Sequence, residues 1–148
     1  MSAEVVLNRL RRFLLGVAGF MAVGTILELV FTEHWETLVQ MLPFGLAGLS
    51  LVVIVAVLVR PQAGVLRFMR WMMIVALVGS LFGIYEHMEN NIEFAREIHP
   101  NATTMTLIWN GFAGANPLLA PGILAFTAIL ALAATYYHPG LAKRSVNI

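Results

Sequence analysis

Apolar residues come in four long runs, 13–32, 41–59, 65–85 and 118–137, and most polar residues are swept into the segments between them. A bilayer's hydrocarbon core is about 30 Å thick and takes about 20 helical residues at 1.5 Å each to cross. Each run is about that long, so the pattern predicts an all-α integral membrane four-helix bundle, a single domain over 1–148. The third run opens with Arg67 and Arg70, whose long stems reach back to the headgroups. Proline punctuates the ends, because it cannot continue a helical hydrogen-bond ladder. Arg60-Pro61 closes the second span and His138-Pro139-Gly140 the fourth. Gly79 and Gly83 lie on one side of the third span, where another helix can approach closely.

The same spacing suggests one helical hairpin used twice. Glu33-His34-Trp35-Glu36 follows the first span and Glu86-His87-Met88-Glu89 the third. Pro43 opens the second span and Pro61 closes it 18 residues later; Pro121 and Pro139 repeat that separation in the fourth. Two such hairpins would relate by a pseudo-twofold axis along the membrane normal.

An insertion over about 90–116 separates the copies. Glu86, Glu89, Asn90, Glu93 and Glu97 fall within a stripe about 100° wide at helical spacing, so the third helix continues past the membrane to about residue 98. Pro100 stops it. Asn101 or Thr103 can cap a short amphipathic helix with Met105, Ile108, Trp109 and Phe112 on one face, lying on the outer leaflet or across the bundle mouth.

Composition agrees with a lipid solvent. The chain is 59% hydrophobic and 11% charged, too little charge to cover a water-soluble globule of 148 residues. Its net charge of +1 offers no basic field for nucleic acid. No cysteine is present, which excludes disulfides, thiolate metal sites and thiol redox chemistry. The N-terminal Arg9, Arg11 and Arg12 before an apolar run resemble a secretory signal. However, the run is about 20 residues long, ends in Glu28 and lacks a cleavage site, so it reads as a retained helix.

Charge is sorted by side. Arg9, Arg11, Arg12, Arg60, Arg67, Arg70, Lys143 and Arg144 fall at the termini or in the middle loop, and Arg96 alone falls in an outer loop. The acidic residues Glu28, Glu33, Glu36, Glu86, Glu89, Glu93 and Glu97 gather at the opposite ends. Basic segments stay in the cytoplasm, so the expected topology is multi-pass in the plasma (inner) membrane with both termini inside. Trp35, Tyr85 and Trp109 would then mark the outer interface, and Trp71, Tyr136 and Tyr137 the inner one.

Candidate chemistry lies at the outer ends. Glu28 sits about one turn inside the first span, where a carboxylate is costly unless paired, hydrated or protonated. His34 and His87 occupy matching places, each flanked by Glu33 and Glu36 or by Glu86 and Glu89. With Glu93, these imidazoles and carboxylates are ligands that a divalent transition metal accepts. The Glu-x-x-His spacing of two-metal bundles is absent, and the plainer alternative is a solvated polar rim. A haem between His34 and His87 is disfavoured by the adjacent carboxylates. No phosphate loop, Ser-His-Asp set or zinc-protease helix occurs.

The expectation is therefore a non-catalytic accessory or scaffold subunit in the lipid bilayer, associated with other membrane proteins or with itself. The alternative is a metal- or proton-binding membrane protein using the outer Glu/His cluster. A pore or carrier is weaker, since the second and fourth spans hold no charged residue to line a path.

Overall fold

A computed structural model describes residues 2–142. Its elements are helices α1 (Ala3–Phe31), α2 (Leu38–Val59), α3 (Ala63–Ile98), α4 (Thr104–Ala113) and α5 (Leu119–Ala134), followed by a 3₁₀ turn at Pro139–Leu141. The protein is all-α, and α1, α2 and α3 are each long and apolar enough to cross a membrane. In each of those three, only 28% of the most apolar window is buried. A helix that is apolar all round yet packed along one stripe must meet hydrocarbon with the rest. Phe20, Phe31 and Leu38 do so most openly, at 79, 82 and 88% exposed. This is a multi-pass membrane protein.

The helices close into a ring. α1 packs between α2 and α5, α3 packs between the same two, and α2 approaches α5 across the middle. Small residues allow that closeness: Ala18 and Ala22 of α1 and Ala128, Ala131 and Ala134 of α5 are all buried. In lipid, such packing rather than water exclusion drives association. Larger side chains, Ile54, Leu66, Met69 and Met73, fill the centre. Gly79 and Gly83 do serve packing: a Cβ on Gly79 would strike Leu46 of α2, and one on Gly83 would press on Pro121 of α5.

Two expected boundaries move. Pro43 does not open the second span but lies inside α2, which begins at Leu38. The reason is a capping box: the Thr37 hydroxyl accepts from Gln40 N–H at 3.3 Å, and Gln40 Oε1 accepts from Thr37 N–H at 3.0 Å. The fourth run also shrinks. α5 has 16 residues, about 24 Å, and ends at Ala134 rather than at the His138-Pro139-Gly140 stop. Its last turn is closed instead by Thr135, whose hydroxyl donates to Leu132 O at 2.7 Å, and by Tyr137 in a left-handed conformation at φ 46°.

Arg11 completes that ending. One of the basic residues sorted to that end of the chain, it is 6% exposed and lies within α1. Its guanidinium donates to Tyr136 O at 3.2 Å and Tyr137 O at 2.7 Å, satisfying carbonyls that no further helical turn would take up. Asn8 Oδ1 accepts a third bond. The expected inner residues Lys143 and Arg144 lie outside the described residues.

α3 runs past its apolar stretch to Ile98, and α4 folds back along that extension, packing on α3 and on no other helix. It does not lie across the bundle mouth as one alternative had it. Thr103 is its cap, the hydroxyl accepting from Thr106 N–H. Gly111 gives the close approach to Ile92, and Asn91, buried on α3, locks the turn beyond: its amide donates to Gly111 O and Asn116 O while Oδ1 accepts from Asn116 N–H.

Candidate functional site: a cavity at the carboxylate-rich ends of the helices

A cavity of about 940 Å³ lies among α1, α2, α3 and the start of α5. Leu29, Leu46, Val75, Val78, Phe82 and Leu124 supply apolar wall, and Thr25, Glu28, His34, Glu86 and His87 supply polar wall. Of the eight residues expected at a site, Glu28, His34, Glu86 and His87 border this space. Glu33, Glu36, Glu89 and Glu93 do not; they are exposed around it.

Local backbone chemistry puts each histidine there. After α1 the chain closes a Schellman turn: Glu33 N–H bonds Val30 O at 3.2 Å, and His34 N–H bonds Leu29 O at 3.0 Å. The turn requires a left-handed residue, supplied by Glu33 at φ 51°, and swings His34 back over the helix end. On α3, His87 points across to α5. Its Nδ1 lies 2.8 Å from Pro117 O, an acceptor only, so Nδ1 carries the hydrogen and Nε2 is left with the lone pair in the neutral ring. That carbonyl is open because Pro121, four residues on, has no N–H to give it.

The two imidazoles meet, with ring centroids 6.0 Å apart and planes tilted by 47°. Burial holds the His34 pKa below its ordinary value of 6.5, and the nearby His87 lowers it further. Glu28 and Glu86 are the two carboxylates that border the same space. Among the described residues no group of three or more His, Cys, Asp or Glu side chains stands close enough to hold a metal ion. His99 caps the far end of α3, exposed and away from the cavity.

Two polar side chains here escaped sequence reasoning. Thr25 is 1% exposed, borders the cavity, and its hydroxyl has no hydrogen-bond partner. Ser80, also buried at its edge, donates to Ala76 O at 2.7 Å and so is satisfied within its helix. Single hydroxyls in apolar helices usually make that back-bond, so nothing in the sequence separates the two.

No protein-family model, curated protein or solved structure matches this chain.

Proposed function

We propose that the protein is a non-catalytic, four-span component of the inner membrane, with both termini inside, that docks another membrane protein through its outer helical hairpin. Support for four spans comes from α5 and its flanking turns, which together cover the 118–137 apolar run, and from its place in the ring of helices. Support for the orientation comes from the sorting of basic residues to one end and carboxylates to the other.

The observation that carries the docking reading is apolar surface held above the lipid. If hydrocarbon ends near Tyr85, the 13 residues to Ile98 rise about 20 Å beyond it. Headgroups occupy only about 5–7 Å on each side. Phe94 and Ile98 on α3 are nevertheless 52 and 54% exposed, and Met105 and Trp109 on α4 are 73 and 72% exposed. Apolar side chains at that height have no acyl chains to meet, and a protein surface is what would cover them. The second and fourth spans hold no charged residue to line a pore.

Gentle extraction from native membranes followed by native mass determination tests this. A stoichiometric second protein is expected, lost from Trp109→Asp and Met105→Asp variants that still insert. A lone monomer or a homo-oligomer overturns the accessory reading.

A further inference from the structure

We propose that the outer cavity is a binding site for a lipophilic cation, a molecule with an apolar body and one positive charge. This goes beyond the docking reading and uses a different part of the molecule. Size comes first: about 940 Å³ is within the range of small-molecule sites and larger than a metal ion or a few waters need. Wall chemistry comes second. Leucine, valine and phenylalanine side chains make up one part of it, suited to an apolar body and unsuited to a free inorganic ion.

Sign of charge comes third. Glu28 and Glu86 both border the space and are half-buried, from α1 and α3, which stand across a diagonal of the ring. Among the described residues no lysine or arginine borders it to offset them. A low-dielectric wall strengthens that field, so a cation is drawn in and an anion of the same shape is held out. Phe82 also borders the space, adding an aromatic ring to its wall. Fourth, the Thr25 hydroxyl is buried at the cavity without a partner, a polar group left over where the helix could have satisfied it. His34 and His87, with Nε2 of His87 free to accept, suit a cation that also carries an N–H or O–H donor.

The test uses the full chain in nanodiscs of zwitterionic lipid, with tetraphenylphosphonium as probe, tetraphenylborate as its charge-reversed isostere, and empty discs subtracted. One saturable phosphonium site per chain is expected, and tetraphenylborate should displace the probe at least about tenfold less well. The double variant Glu28→Gln with Glu86→Gln should weaken phosphonium binding by about tenfold or more, whereas Glu97→Gln, an exposed carboxylate away from the cavity, should leave it unchanged. Ala120→Phe, which adds a bulky ring to the cavity wall, should weaken saturable binding. The two isosteres compared on the unmodified chain need no variant to fold. Absence of a saturable phosphonium component, equal displacement by both isosteres, or binding that neither the double variant nor Ala120→Phe weakens overturns the proposal.

Discussion

At Arg11, an arginine lies where an apolar helix would ordinarily leave its cation in water. It is buried because α5 ends early and presents the carbonyls of Tyr136 and Tyr137 to it. Bonds to a charged donor are worth about 1.5–3 kcal/mol each, and losing the donor leaves two part-buried carbonyls without it. Arg11→Met should therefore destabilise the protein by about 2–4 kcal/mol in thermal unfolding, with Arg11→Lys recovering part of it. Glu33 offers the opposite case. Its left-handed backbone suits glycine, so Glu33→Gly should stabilise the turn by about 0.5–1 kcal/mol while leaving His34 in place. His34 makes a pH prediction. A base whose native pKa is depressed binds its proton better in the unfolded chain, so its contribution is intact at neutral pH. That contribution falls as pH drops below the ordinary value of 6.5 toward the lowered native one. Stability measured across that window should be less pH-dependent in His34→Gln, and His87→Ala should bring the His34 titration, followed by NMR, back toward its ordinary value.

Among the elements, α2 and the outer hairpin show how local signals compete. A proline at 43 invites the inference that a helix opens there, yet Thr37 and Gln40 begin it earlier, and the box signature Thr-x-x-Gln was legible in the sequence. Pro43, in the second turn, withholds an N–H from one carbonyl, that of Val39. On α3 the carboxylate stripe and Pro100 pointed to a helix running on to about 98, and α3 ends at Ile98. What the stripe could not tell is where α4 lies. That depends on Asn91, an unremarkable polar residue in sequence, whose three hydrogen bonds hold the 111–116 segment. Asn91→Asp would set an oxygen against the carbonyls of Gly111 and Asn116. Hydrogen exchange over α4 should then accelerate by about 2 kcal/mol in opening free energy while α1 and α2 stay protected.

For the whole molecule, the absence of cysteine makes topology simple to test. A single cysteine at Asn101 or Thr106 should react with an impermeant maleimide in intact cells, and one at Gln62 only after permeabilisation. The reverse pattern would invert the molecule and place the cavity on the inner side. His34 and His87 hold matching places in the Glu-His-x-Glu segments after the first and third apolar runs, and their rings do meet. The wider cluster of eight was not legible as a site: adjacent residues on a helix or turn diverge, so only Glu28, His34, Glu86 and His87 turn toward the shared space.

The order of apolar and polar residues alone determined that this chain is helical, that it belongs in lipid and which ends carry its acids, because charge in hydrocarbon costs too much to be placed otherwise. It could not determine the cavity, the burial of Arg11 or the placement of α4. Those depend on where α5 starts and stops and on the bonds that Arg11 and Asn91 make, contacts between segments far apart in the chain that no local pattern records.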